Sequence, residues 1–292
     1  MPFFFSCSEK FSYFCSMKLI ADSGSTKTDW VLTDDKGGIV VRQSTEGINP
    51  FHQHETAIET VLSSVHVPSS IGSVHFYGSG LRPEFKPMME RLLAKRFGTE
   101  TVEAESDLLG AARALCAHEE GIACILGTGA NSCLYNGGEI VRNTPALGYI
   151  LGDEGSGAVL GRNLLNAIYK GRLPQSLRAS FEQEMQLTMA DVIRKVYREP
   201  LANRWMASLT YFIYRHKQEY DELSQLVVDS FRDFLRVNVL PYGRSDLSVS
   251  AIGSIAWFFQ TELAHAASLE CLRIGRIEQT PMEGLLRYHF PD

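Results

Sequence analysis

Leu19-Ile20-Ala21-Asp22-Ser23-Gly24-Ser25-Thr26-Lys27-Thr28-Asp29-Trp30 reads as an apolar strand, an acid, a turn of glycine and hydroxyl residues, and a second strand. Backbone amides and hydroxyls in such a turn can gather around phosphate oxygens, and a carboxylate just ahead of it can hold the magnesium ion that accompanies them. Asp22 is therefore a candidate metal-side residue, and Gly24, Ser25, Thr26, Lys27 and Thr28 form a candidate phosphate-binding tip. The same residues also suit an ordinary hairpin, because Gly and Asp are what tight turns use. A P-loop is excluded: Thr26 stands where a glycine must precede Lys27-Thr28, and no earlier glycine has the required spacing.

The pattern restarts at Gly121. IACILGTGANSCLYNGGEIVRN (122–143) is strand, Gly-Thr-Gly turn, strand, Asn-Gly-Gly turn, strand. Its tip, Gly127, Thr128, Gly129, Ala130, Asn131 and Ser132, repeats the design of the first hairpin. Two glycine-and-hydroxyl hairpins, each opening a β-rich half, argue for a nucleotide held between two domains.

The rest of the chain is compatible with that arrangement. At 292 residues, 45% hydrophobic and 21% charged, it is long enough for two cores. A formal net charge of −6 argues against general nucleic-acid binding, which relies on a basic surface. Six cysteines, Cys7, Cys15, Cys116, Cys124, Cys133 and Cys271, show no C-x-x-C pair or Cys/His ligand spacing. They read as reduced thiols, several on core strands, as expected of a cytoplasmic protein. His52 and His54 read as a solvated helix start rather than a metal site. The opening MPFFFSCSEKFSYFCS has no basic n-region and only a short apolar run, so it makes neither a signal peptide nor a membrane span. Met17 is the expected true start, with residues 1–16 contributed by an upstream in-frame start.

In chain order, strands are expected over 38–43, 73–77, 101–104 and 247–252, with a further one at Cys271 to Ile274. Helices are expected over 54–66, 83–97, from Asp107 through LLGAARALC, from 157 to about Lys170, through 173–240, from 254 to about His265, and from Pro281 to Tyr288. Pro50 keeps Asn49 extended, so the Asn49 amide is either held out for hydrogen bonding or spent on starting a turn. Ser106 or Asp107 is placed to cap its helix, which is the structural alternative to a chemical role for Asp107. The Tyr and Phe stripe in the helical region reads as core. Gly155, Gly157 and Gly161 can be read as a dinucleotide fingerprint, but Asp153 and Glu154 stand where a pyrophosphate would be repelled and no long apolar strand leads in. Carboxylates at a helix start suit neutral polyols instead, because they accept hydrogen bonds from hydroxyls.

Taken in order, DSGSTKTDW, GINP, SDLLGAARA, ILGTGANS, GYILGDEGSG, AIGSIA and TPMEGLLRYH resemble the sugar kinase, hexokinase, Hsp70 and actin superfamily, and within it the N-acetylglucosamine kinase family. The resemblance spans 17–289. It implies an α/β chain of two ribonuclease-H-like, actin-like ATPase domains with ATP and Mg²⁺ in the cleft between them. The implied boundaries are 17–118 with a returning helix at 280–292, and 119–279 with a helical insertion at 173–240. By this similarity the two hairpins, including Gly127, Thr128, Gly129 and Ser132, hold phosphates, and Gly253 and Ser254 lie beside the adenosine. Asp107 falls at the general base, and Asn49, Asp107, Gly148 and Asp153 fall where the family holds its sugar. Leu147 departs from the family, whose members carry an aromatic residue six positions before the acid matching Asp153. The implied activity is transfer of the γ-phosphoryl group to a sugar hydroxyl, at C6, with N-acetylglucosamine the best match among amino sugars; a homodimer is compatible with it. The alternatives are an activase-type ATPase related to 2-hydroxyacyl-CoA dehydratase activators, against which the cysteine placement argues, and an ATP or sugar sensor of the same fold.

Overall fold

The computed structural model describes residues 17–24, 26–67 and 71–291. The expected true start at Met17 therefore concerns residues outside that description, and so does Ser25. The described residues divide between Glu105 and Ser106 into two compact units.

The first unit is built on a five-stranded sheet. Its elements are β1 (Met17–Ser23), β2 (Lys27–Thr33), β3 (Ile39–Glu46), α1 (Glu55–Ser63), β4 (Ile71–Gly78), α2 (Lys86–Phe97) and β5 (Val102–Ser106), with a 3₁₀ turn at Pro83–Phe85 leading into α2. The strand order is β3-β2-β1-β4-β5. β1, β2 and β3 form an antiparallel meander, and β4 runs parallel to β1. Alternation along the strands puts Leu19, Ala21, Trp30, Leu32, Val74, Phe76 and Ala104 in one apolar cluster. Ile58 and Leu62 of α1 and Met89, Leu92, Leu93 and Phe97 of α2 complete it. Trp30 is its centre, with ring centroids 6.1 Å from Phe76 and 5.9 Å from Phe97. Its indole N–H donates to Thr45 Oγ1 at 3.0 Å, so the buried ring leaves no donor unpaired.

The second unit repeats the plan. After α3 (Asp107–Cys116) come β6 (Glu120–Leu126), β7 (Ala130–Asn136), β8 (Ile140–Thr144), α4 (Gly148–Leu151) and α5 (Gly157–Tyr169). Five helices follow: α6 (Gln175–Met185), α7 (Met189–Tyr197), α8 (Ala202–Ser208), α9 (Thr210–His216) and α10 (Asp221–Phe234). A π-helical turn at Leu235–Val239 then leads to β9 (Ser248–Ile252), α11 (Ser254–Phe258), α12 (Gln260–Leu269), β10 (Arg273–Glu278) and α13 (Met282–His289). The sheet order, β10-β9-β6-β7-β8, is the order of the first sheet read from its other edge. Again the first three strands are antiparallel, and β9 and β10 run parallel to β6. Leu160, Leu164 and Ile168 of α5, Val227, Phe231 and Phe234 of α10, and Leu263 and Ala266 of α12 share one core with Ile122 and Leu126 of β6.

Several expected elements shift. The helical stretch 173–240 is five separate helices, broken at Gln186, which is left-handed (φ 50°), at Leu201 (φ 59°), and by the 3₁₀-like connections near Leu209 and Lys217. Phe212, Phe231 and Phe234 are core as expected, whereas Tyr211 and Tyr214 are exposed. Phe259 leaves helical geometry and separates α11 from α12. Cys271 is left-handed, so the last strand starts only at Arg273. Pro281 caps α13 rather than opening it. No described helix is long and apolar enough to cross a membrane.

Candidate active site

In the first unit the β1–β2 hairpin closes through Gly24 N–H donating to Lys27 C=O at 3.0 Å. Gly24 and Thr26 are exposed at its tip, and the Thr26 hydroxyl has no partner among the described residues. Thr28 is placed differently from the expectation. It is fully buried, its hydroxyl 2.6 Å from Ser23 Oγ and donating to Glu46 C=O at 3.1 Å. Ser23 Oγ in turn donates to Ile48 C=O at 3.0 Å and accepts the Ile48 N–H at 2.9 Å. Thr28 and Ser23 together thus hold the hairpin to the Glu46-Gly47-Ile48 segment, and the Thr28 hydroxyl is turned inward rather than toward the tip. Lys27 is exposed and ion-paired with Asp29 at 2.8 Å.

Asp22 is half-buried at the end of β1 and stands directly opposite Asp29 in the register, so both carboxylates share one face of the sheet. Hard oxygen donors of this kind suit Mg²⁺, which takes one or two carboxylates and completes its shell with phosphate and water. No cluster of three or more acidic, His or Cys ligands exists among the described residues, so a dedicated all-protein metal cage is not what Asp22 belongs to.

Asn49 takes the turn-starting role, and its side-chain N–H reaches a neighbouring hydroxyl. Its Oδ1 accepts the Phe51 N–H at 3.1 Å, which is the turn-starting role, and its Nδ2 reaches Ser79 Oγ at 3.3 Å. Gln53 Oε1 accepts its backbone N–H at 2.8 Å. The amide is therefore fixed in place with one N–H hydrogen left over for a ligand.

In the second unit α3 is capped by Ser106, whose hydroxyl accepts the Leu109 N–H at 3.2 Å. This leaves Asp107, the first helical residue, without the capping duty. Burial lifts its carboxyl from the ordinary 3.8 to about 6, outweighing the Leu108 and Asp107 N–H groups that favour the ionised form. A carboxylate with that value is ionised at neutral pH and basic enough to accept a proton.

The β6–β7 turn, Asp153 and the start of α5 form one assembly. Asp153 is left-handed at φ 53°, a conformation that costs a non-glycine residue of order 1 kcal/mol or more. Its N–H donates to Ala146 C=O at 3.0 Å and its C=O accepts the Ser156 N–H at 3.0 Å. Its carboxyl accepts the Ala130 N–H and is pushed up to about 6, by burial first, with Glu154 adding to the rise. A Cβ on Gly129 would stand 3.0 Å from Asp153 Oδ2, so the second turn glycine lies directly beside that carboxylate. Gly127 faces open space, and the Thr128 hydroxyl is exposed with no partner among the described residues. Gly253 lies against the same turn, where a Cβ would meet Leu126 C=O at 2.4 Å, so Gly253 and the exposed Ser254 adjoin the hairpin tip. Gly148 is exposed and opens the one-turn α4.

Ser132, like Thr28, is fully buried: its hydroxyl donates to Asn238 C=O at 3.1 Å and lies 2.7 Å from the Tyr242 hydroxyl, so it braces the hairpin from within. The first N–H groups of α5 are all committed, Gly157 to Gly127 C=O at 2.8 Å, Ala158 to Thr128 C=O at 3.1 Å and Val159 to Ser156 Oγ at 3.2 Å. A pyrophosphate would find no donors there, and Gly161 is explained by packing, since its Cβ would strike Met206 C=O of α8 at 1.9 Å. Sequence reasoning missed the Ala130 amide, which a backbone role hides, and Asn238, which belongs to no motif.

Two five-stranded sheets of one order, each led by a glycine-and-hydroxyl hairpin, define an actin-like ATPase fold of the sugar-kinase class. A hexokinase of the ROK type from Thermus thermophilus shares the fold at a TM-score of 0.51 and 14% identity, covering 94% of this chain and 97% of its own. The "putative N-acetylglucosamine kinase" of Porphyromonas gingivalis is 47% identical, with a TM-score of 0.89 over 94% of this chain and 99% of that one. The chain belongs to the N-acetylglucosamine kinase family. The N-acetyl-D-glucosamine kinase of Dictyostelium discoideum is a more distant relative, 26% identical over 71% of this chain and 73% of its own length. No family model matches the chain.

Proposed function

We propose that this protein is an ATP-dependent kinase that transfers the γ-phosphoryl group to a hydroxyl, at C6, of an amino sugar, with N-acetylglucosamine the best candidate. The observation that carries the reading is Asp107. It is a carboxylate at a helix start, relieved of capping by Ser106 and raised by burial to about 6, in a chain 47% identical to a relative of that name.

In this mechanism the sugar hydroxyl oxygen forms the new bond to the γ-phosphorus as the bond to the ADP leaving oxygen breaks. Asp107 takes the hydroxyl proton as that happens and later returns it to solvent. Asp153 accepts hydrogen bonds from sugar hydroxyls, which orients the acceptor, and Asn49 in the first unit is a second sugar-binding residue in this reading. Each hairpin is a phosphate-binding segment in this reading, through Gly24 and Thr26 in the first unit and through Gly127, Thr128 and Gly129 in the second, where Gly253 and Ser254 serve the adenosine. Magnesium, associated with Asp22, supplies neutralisation of phosphate charge when bound.

Leu147 is 66% exposed and left-handed beside α4, so recognition of the N-acyl group does not rest on an aromatic residue at that position. ADP release in Mg²⁺·ATP, measured against N-acetylglucosamine, glucosamine, N-acetylmuramic acid and glucose, tests the proposal. The expected result is strongest stimulation by N-acetylglucosamine. Stimulation by another of the four would move the substrate, and none by any would favour a sensor.

A further inference from the structure

The π-helical turn at Leu235–Val239 has no part in the mechanism above, although such turns recur where a helix must present a side chain out of its regular register. Here it presents Asn238, which is 3% exposed and hydrogen-bonded at both ends. Its carbonyl accepts Ser132 Oγ at 3.1 Å and Thr144 Oγ1 at 3.0 Å, which ties the turn to β7 and to the end of β8. Its Nδ2 donates to Glu154 Oε2 at 3.1 Å. Glu154 immediately follows the left-handed Asp153.

A second contact reinforces the first. A Cβ on Gly155 would meet Phe234 Cβ at 2.9 Å and Phe231 Cδ1 at 3.4 Å, so the end of α10 lies directly on the backbone of residue 155. Residues 154 and 155 are thus held from the α10 side, while Asp153 is held by Ala146 and Ala130 from the other.

We propose that Asn238 is a positioning residue for the sugar-binding acid: by fixing Glu154 it holds the 153–155 backbone, and with it the Asp153 carboxylate on the Ala130 amide. Asn238 touches neither substrate nor phosphate in this account. The kinetic side of the proposal rests on the function proposed above, whereas the geometric side does not.

Asn238→Leu tests it with little risk to the fold, because the side chain is nearly isosteric and both bonds to the Asn238 carbonyl survive. The direct readout is amide hydrogen exchange by NMR. Exchange at Ala130 should accelerate about tenfold or more in the variant, while the Val159 amide, bonded to Ser156, stays as in the wild type. Glu154→Gln retains an oxygen acceptor for Asn238 and should keep Ala130 protected. In steady-state kinetics Asn238→Leu should raise the KM for sugar about five- to twentyfold and leave the KM for ATP within about twofold. Unchanged Ala130 exchange in Asn238→Leu overturns the proposal. Equal acceleration at Ala130 and Val159 also overturns it, because that would mean general loosening. If the wild-type protein phosphorylates no sugar, the function reading fails and the exchange result alone decides the positioning role.

Discussion

Asp107→Asn should make the protein more stable while disabling it, and the size of the gain should depend on pH. Raising the folded-state carboxyl from 3.8 to about 6 corresponds to about 3 kcal/mol favouring the protonated form. The cost of holding the ionised form in the folded protein is absent below the unfolded value near 4, and it grows as pH rises toward about 6. Above that it is complete, so the wild type carries it in full at neutral pH. Asparagine is neutral throughout and can still accept the Leu108 and Asp107 N–H groups. Urea unfolding should therefore find the variant more stable by up to about 3 kcal/mol at pH 8 but only about 1 kcal/mol at pH 4.5, with Asp153 contributing equally to both proteins. Turnover of the variant should fall by about two to four powers of ten with ATP binding retained. A stability difference that does not change with pH would refute the burial argument. Near-wild-type turnover would remove Asp107 from the base role.

Other consequences of the same structure are open to simple assays. Because Asp107 and Asp153 both titrate at about 6, kcat/KM for the sugar should be level above pH 7 and fall as pH drops through 6; a profile flat to pH 5 would contradict the assignment of either acid. Gly161→Ala places a methyl 1.9 Å from the Met206 carbonyl and should cost about 1–3 kcal/mol or more in denaturant unfolding; an unchanged midpoint would mean that α5 and α8 are not in this contact. Lys217 and Glu262 form a buried ion pair at 2.7 Å, 11% and 7% exposed, so Lys217→Met should cost about 3–5 kcal/mol and the double variant with Glu262→Met should recover most of it. Asp153→Ala should raise the sugar KM about tenfold or more with the KM for ATP little changed; an unaltered sugar KM would separate Asp153 from the sugar.

Much of the fold was legible because its signals are local. Alternation in Leu19 to Leu32 and the Gly-Thr-Gly turn at Gly127 each mark an antiparallel hairpin that begins the meander of its sheet, while the parallel strands beside β1 and β6 come from elsewhere in the chain. Asp107 and Asp153 were legible as acids at helix starts. What the sequence could not convey was which way a small hydroxyl points. Thr28 and Ser132 follow closely on Thr26 and Thr128 but lie on β2 and β7, where strand alternation turns them inward, and partners such as Glu46, Asn238 and Tyr242 lie far along the chain. The left-handed Asp153 was likewise hidden: aspartate tolerates that conformation but does not announce it, and the bonds to Ala130, Ala146 and Ser156 that hold it come from the fold. The breaks near Gln186 and Leu201 carried local signals, the Thr188/Asp191 capping box and Pro200, which the apolar period of the stretch overrode, whereas the break at Phe259 has no such residue.

Phosphorus-31 NMR of a reaction containing the protein, Mg²⁺·ATP and N-acetylglucosamine tests the central claim most directly. The account predicts a new phosphomonoester signal, coupled to the C6 methylene protons, growing in step with ADP. ADP accompanied only by inorganic phosphate, at a rate the sugar does not change, would contradict it.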